Sequence, residues 1–539
     1  MTKPLLFCLF FIGLFLQSLP TFALVVNPGD DKTVYEGATT TLGSSPTASE
    51  GKEPYTYEWS LEDGTIFSNE ANPLIDDVTL GETTYCVSVT DANSITCNLD
   101  CITINGVSNN DGIRLRQISF AVDNLIINDL AQGTTYTPKW TDGGTTNPLY
   151  YKSGATMEIS ARLQVDNQSV DLSNFKIKGE IADGFYFEST TVVVTQIQNG
   201  LLLTVSDMLA NNSFPDNMVN FYDPMLINWQ ISLDGGNTWQ SIGISENRIY
   251  VVHDTPNKDV MANGGIPMGL YETLFNIGCK YAKNETIQET IIQKIWEGFE
   301  TLEVRRADGE QMYYYKDYDA NNIEAWQLIY SLDGQCGSWA KLFIDVLKMQ
   351  GIHNSNNYVT FESSQIYWDD ENVFFVKDWS FNNNGTPYNV VLDGINNTIY
   401  THNNIARSNG SYWALWTNEI DKSNYYFFKE EIKDEKGGYG QGKNKNPLAT
   451  FNNHQVVFID GIYYDVSYGQ TYLSKDDFDM LAIEAHALGE NIFLDEEGQE
   501  DYNLDGDTND LQVQCYSLHI RTNTPNAVQA DITEIFSNH

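Results

Sequence analysis

The stretch Gly334-Gln335-Cys336-Gly337-Ser338-Trp339-Ala340 decides how the C-terminal half of this chain reads. After Cys336, apolar residues fall at Trp339, Ala340, Leu342, Phe343, Val346 and Leu347. That is the i, i+3, i+4, i+7 spacing of a half-buried helix. Gly351 then marks the stop, because glycine adopts the left-handed conformation that ends helices. Cys336 falls in the first turn, where unpaired backbone N–H groups and the helix dipole favour an anion. Such surroundings suit a thiolate nucleophile. An isolated cysteine also reads as a small core residue, so its partners decide between the two.

A thiol nucleophile needs a base, and the base needs an orienting group. The histidines after Cys336 are His353, His402, His454, His486, His519 and His539. Only His454 sits where a third member is close in sequence. It opens the apolar run Gln455-Val456-Val457-Phe458-Ile459, and Asp460-Gly461 is a two-residue hairpin signal before Ile462-Tyr463-Tyr464-Asp465-Val466. A tight turn there pairs Ile459 with Ile462. Counting outward, Gln455 faces Val466, His454 faces Ser467, and Asp465 lies one diagonal step from His454. The pattern predicts Cys336 as nucleophile, His454 as general base and then acid, and Asp465 as the group that holds the imidazole tautomer. This is the logic of the serine triad with sulfur in place of oxygen.

The run Gly-Gln-Cys-x-x-x-Ala, continued by an apolar helix that ends at Gly351-Ile352, resembles the transglutaminase core. The resemblance spans residues 268–475. It implies a papain-like α+β fold, with a helix carrying Cys336 against an antiparallel sheet carrying His454 and Asp465. It also implies acyl transfer from a carboxamide or peptide through a thioester, with no cofactor required and a protein or peptide as substrate. An amine or water completes the reaction. Exported members are often hydrolases, which places peptidase or amidase ahead of crosslinking. The chain departs from the family at two points: Gln455 stands where an aromatic residue follows the histidine, and Val466 stands where proline follows the aspartate. The Cys336 backbone N–H is one expected oxyanion donor, and the indoles of Trp326 and Trp339 are others.

The 539 residues carry a formal net charge of −43 and a sequence pI of about 4.2. Nucleic acid is excluded as a partner, because phosphate binding needs Lys and Arg. Electrostatic attachment to anionic lipid is excluded on the same ground. Met1-Thr2-Lys3, an apolar core from Pro4 to Leu16 and small residues at Thr21 and Ala23 read as a secretory signal over residues 1–23. No later stretch reaches about 18 consecutive apolar residues, so no membrane span is expected after cleavage. The expected location is secreted or cell-surface. In such a compartment a bridge from Cys86 to Cys97 or Cys101 is expected.

The expected architecture is multidomain: N-terminal all-β sandwich domains followed by the α+β papain-like transglutaminase core. Residues 24–107 alternate as strands. Pro54-Tyr55-Thr56-Tyr57-Glu58-Trp59 and Tyr85-Cys86-Val87-Ser88-Val89-Thr90-Asp91-Ala92-Asn93 resemble the immunoglobulin-like polycystic-kidney-disease domains and adhesin repeats. That resemblance implies a spacer or a module binding a cell-surface polymer. Residues 113–254 read as a second β domain. Within it Ser232-Leu233-Asp234-Gly235-Gly236-Asn237-Thr238-Trp239 matches an Asp-box, a hairpin device in which Asp234 accepts N–H groups of its own turn and Trp239 packs below. Residues 476–539 read as a C-terminal extension. There Asp501, Asn503, Asp505, Asp507 and Asn509, with Gly506 at the sixth position, have calcium-loop spacing. Gln512 replaces the usual glutamate, and an acidic surface turn is the other reading. The competing function is a surface adhesion or scaffold protein whose core has lost catalysis.

Overall fold

Alternation of buried and solvent-facing positions builds the N-terminal half, as strands covered on one side require. The computed structural model describes residues 24–539 apart from breaks of one or two residues and the stretches 123–125, 258–269, 317–321, 354–356, 364–372, 377–390, 393–411, 415–429, 432–438, 495–510 and 521–531. The expected signal over 1–23 and the expected calcium loop at Asp501, Asn503, Asp505, Asp507 and Asn509 lie outside the described residues.

In the first sandwich, strands β1 (Lys32–Tyr35), β2 (Thr56–Leu61), β3 (Gly81–Thr90) and β4 (Thr96–Val107) lie in the order β1-β4-β3-β2. Trp59, Val34, Val87, Val89 and Ile102 are wholly buried in its core. Cys86 and Cys101 are direct cross-strand partners and form the disulfide, while Cys97 stays a free thiol.

The second sandwich stacks one sheet containing β5 (Arg114–Phe120), β6 (Thr156–Val165) and β7 (Gly200–Ser213) on another containing β8 (Asn220–Ser232) and β9 (Gln240–Val252). Ile159, Ala161, Leu163, Leu203 and Val205 meet Ile227 and Trp229 in the core between them. The two sandwiches share a sheet. β1 pairs with β4 along its length, and its Val34 also pairs with Ser241 of β9, giving a ten-stranded sheet.

The Asp-box closes the β8–β9 hairpin. Asp234 accepts the backbone N–H groups of Asn237 (3.1 Å) and Thr238 (2.9 Å), and the Ser232 and Thr238 hydroxyls at 2.7 Å each. These bonds, the Thr238 N–H first, hold its carboxyl down at about 2. Trp239 is half-buried beneath Lys178, whose Nζ lies 4.7 Å from the ring centre, and it does not join the core.

Strand β9 is buried on both faces. Ile249 and Val251 point into the sandwich; Tyr250 and Val252 point into the core of the helical region. There α1 (Glu272–Tyr281) packs on β9 through Phe275, and its start is tied down by Arg248, whose guanidinium reaches Glu272 at 2.9 Å and Asp223 at 3.0 Å. Helix α2 (Gln288–Glu300) buries Ile291, Ile292, Ile295, Trp296 and Phe299. Residues 302–315 hold one isolated bridge, Arg305 to Gln311, and Tyr313–Tyr314 pairs in parallel with Asp333–Gly334. A short α3 (Ala325–Ser331) precedes α4 (Cys336–Met349).

Helix α4 is almost entirely buried. It stops as the glycine signal requires. Gly351 sits at φ +76°, its N–H donates to Lys348 O at 3.0 Å, and the Ile352 N–H donates to Leu347 O at 3.1 Å. This pair of bonds is a Schellman motif. Helix α4 packs on β11 of an antiparallel sheet made of β10 (Tyr358–Ser363), β11 (Asn453–Ile459), β12 (Ile462–Asp465), β13 (Gln470–Tyr472) and β14 (Ile532–Ser537), in the order β13-β12-β11-β10-β14. Its last strand comes from the stretch expected as a C-terminal extension. Helix α5 (Lys475–Ala482), capped by Ser474 accepting the Asp477 N–H at 3.0 Å, covers the site described below with Phe478. A separate sheet joins Tyr412–Ala414, Leu511–Ile520, Ile483–Leu494, Val373–Val376 and Thr450–Phe451.

Gly351 combines a left-handed backbone with close packing: a Cβ there would lie 2.7 Å from Asp254 Cβ. Gly351→Ala is therefore expected to destabilise the protein by at least about 1–2 kcal/mol, the cost of a left-handed L-residue. Urea denaturation of the variant beside the wild type measures it.

Candidate active site

Cys336 is the first residue of α4, and Gln335 before it is extended (φ −85°, ψ 174°). The turn is tight. A side chain on Gly334 would collide with the Ser338 hydroxyl, which itself donates to Gln335 O at 2.8 Å. Trp339 anchors the turn from below by donating its indole N–H to Tyr313 O at 3.2 Å. That commitment removes the Trp339 indole as an oxyanion donor. Trp326 is half-buried against the helical core. The first four N–H groups of a helix have no acceptor within it, and the Cys336 N–H is one of them. The Tyr358 hydroxyl lies 3.0 Å from where a Gly337 Cβ would stand, which keeps position 337 small.

The β11–β12 hairpin has the register expected from Asp460-Gly461. Ile459 pairs with Ile462, Phe458 with Tyr463 and Val457 with Tyr464. Side chains alternate along strands, so His454 and Asp465 share a face and meet diagonally. His454 Nε2 and Asp465 Oδ2 are 2.9 Å apart, and both side chains are fully buried. Tyr472 donates its hydroxyl to the same Oδ2 at 3.4 Å. Phe478 stacks on the imidazole at 6.1 Å between ring centres, and Tyr468 lies 5.9 Å away.

Burial alone would push the His454 pKa down. The charge of Asp465 and its hydrogen bond, together with a hydrogen bond and charge from Cys336, outweigh burial and bring it up to about 10. Since Nε2 is committed to Asp465, Nδ1 is the ring nitrogen left for the thiol. The structure thus brings together all three residues singled out in the sequence.

A fourth residue at the site was not foreseen. The Cys336 thiol donates to Gln455 Oε1 at 2.6 Å, and Gln455 Nε2 donates to Asn453 Oδ1 at 2.8 Å. Neighbouring strand residues point to opposite faces, yet His454 and Gln455 both reach the sulfur because the tip of α4 meets β11 at its start. The available signal was positional: Gln455 replaces the aromatic residue that follows the histidine in transglutaminase-like cores. Among the described residues, no group of three or more His, Cys, Asp or Glu side chains could hold a metal ion, and no helix is long and apolar enough to cross a membrane.

No family model matches this chain. No curated protein matches it. Solved structures with partial overlap include a Bacteroides ovatus mixed-linkage glucan utilization protein, SGBP-B, in complex with a heptasaccharide (10% identity, 43% of this chain and 45% of that chain, TM-score 0.14). Fibronectin(III)-like modules of Clostridium thermocellum CbhA overlap at 7% identity over 42% of this chain and 93% of theirs, TM-score 0.14. The sialic acid binding region of a Streptococcus sanguinis adhesin overlaps at 12% identity over 44% and 81%, TM-score 0.11. The chain spans less than half the length of the first of these. At such scores the overlaps assign neither family nor function. The mostly-β, multidomain architecture rests on the sheets themselves.

The raised His454 pKa has a consequence for stability. A histidine held above its unfolded value of 6.5 stabilises the fold fully below that pH, and the contribution is lost as pH rises through about 10. Asp465→Asn removes the charge that holds it up. The stability gap between wild type and Asp465→Asn is expected to be wide at pH 6.5 and to narrow towards pH 10, as urea denaturation at the two pH values would record.

Proposed function

We propose that this chain is an exported cysteine-dependent acyl-transfer enzyme with a transglutaminase-like, papain-like core over residues 268–475, completed by the strand Ile532–Ser537. One observation carries the reading: a fully buried His454 is bonded to Asp465 on one side and interacts with a helix-tip thiol on the other. A lone histidine or aspartate in a core needs only a hydrogen-bond partner. Their joint convergence on a thiol at a helix N-terminus fits nucleophile activation.

In the proposed reaction the Cys336 proton rests on His454, giving a thiolate–imidazolium pair, and the thiolate attacks a carboxamide or peptide carbonyl. The Cys336 N–H faces the developing oxyanion. His454 then protonates the departing ammonia or amine, and a thioester remains on Cys336. An amine or water resolves it, with His454 as base. Asp465 stabilises the imidazolium throughout. No step calls for a metal or cofactor. The two sandwiches act as the arm that presents this core, and the first one fits a module for a surface polymer.

Incubating the protein with casein and a fluorescent primary amine tests the reading, with ammonia release as a second readout. Label incorporation or ammonia release is expected from wild type, with loss of at least about 10³-fold in Cys336→Ala, as for nucleophile removal in triad enzymes. A protein folded like the wild type that neither labels casein nor releases ammonia from it supports the scaffold alternative.

A further inference from the structure

The Gln455 carboxamide lies against the Cys336 sulfur. Its oxygen is 2.6 Å from the Cys336 sulfur, closer than an ordinary hydrogen bond from an atom as large as sulfur. It reaches that place from the same strand that carries His454. Its amide nitrogen bonds only a neighbouring side chain, Asn453 Oδ1 at 2.8 Å. That oxygen is bonded to Cδ, the carbon a thiolate would attack.

Resting on the activated-thiol reading, we infer that Cys336 and Gln455 react with each other to form an internal thioester, a stored electrophile whose target is a primary amine on a partner surface. The balance is simple. The thiol proton rests on His454; the Sγ–Cδ bond forms; the Cδ–Nε2 bond breaks; and the nitrogen leaves with that proton as ammonia. A thioester is less stable than an amide, but two effects favour it here. Folding holds sulfur and carbonyl together at an effective concentration of about 10⁵–10⁸ M. Ammonia departs into dilute solution. Capture then reverses the roles: an amine attacks Cδ, the C–N bond forms, and Cys336 leaves as a thiol with the proton passed by His454. The product is an isopeptide-type bond between Gln455 and the partner. One such event per molecule suits a chain built as two sandwiches joined to a small reactive core.

Intact mass spectrometry of the folded full chain, unreduced and acid-quenched, tests this, with and without methylamine. The expected species is lighter by one ammonia than the sequence mass corrected for the Cys86–Cys101 disulfide. Methylamine should convert it to a form with methylamide at Gln455 and a free Cys336 thiol, both located by peptide mapping. Finding Gln455 as glutamate in wild type but not in Cys336→Ala also supports the inference, since water then resolved the thioester. Gln455→Glu keeps the shape but lacks the leaving ammonia, so it should show no mass loss. An unmodified Gln455 carboxamide with an alkylatable Cys336 before any methylamine overturns the inference, as does methylamine bound elsewhere. The two readings separate cleanly. Casein labelled while Gln455 stays intact sinks the internal thioester alone; Gln455 labelled without turnover of casein sinks the external substrate alone.

Discussion

The contact between His454 and Asp465 is the constraint around which the core is organised. Both side chains are removed from water, and an ionised group left alone there costs several kcal/mol. Each is admissible only with the other beside it. Their meeting fixes the register of the β11–β12 hairpin, because a slip of one residue would turn both side chains to the opposite face. Tyr472, Tyr468 and Phe478 then close the space around them, which keeps water out and lets the carboxylate act on the imidazole at full strength.

The helix tip is delivered to this pair by packing. The apolar faces of α4 are buried against α1, α2 and the sheet, and the Schellman turn at Gly351 seats its far end against Asp254, beside the second sandwich. The near end is held by Trp339 on Tyr313 and by the tight approach at Gly334. Strand β9 couples these parts to the N-terminal half, since its alternate residues serve two cores at once. The helical core is thus braced against the second sandwich.

Much of this was legible in the residues. The α4 pattern, the glycine stop and the Asp-Gly hairpin are local signals, and local physics decides them: periodicity, left-handed glycine and turn type. From these, the diagonal approach of Asp465 to His454 followed by counting. Other features depend on long-range pairing that no local pattern carries. Ile532–Ser537 completes the sheet on β10 from a distant part of the chain. Strand β1 welds two sandwiches that read as separate units. Tyr313–Tyr314 pairs in parallel with Asp333–Gly334, just before Cys336. Gln455 was visible only as a departure from a family pattern. Its role needed the sulfur's position. The choice of Cys101 over Cys97 likewise required the β3–β4 register.

The central claim is that a buried imidazolium–carboxylate pair stands behind the thiol. Nitrogen-15 NMR of the folded, histidine-labelled protein at pH 8 addresses it most directly. The account expects the His454 ring to carry protons on both nitrogens at that pH, since Asp465 holds its pKa up to about 10. A His454 ring that is neutral at pH 8, titrating like a free imidazole near 6.5, would contradict it.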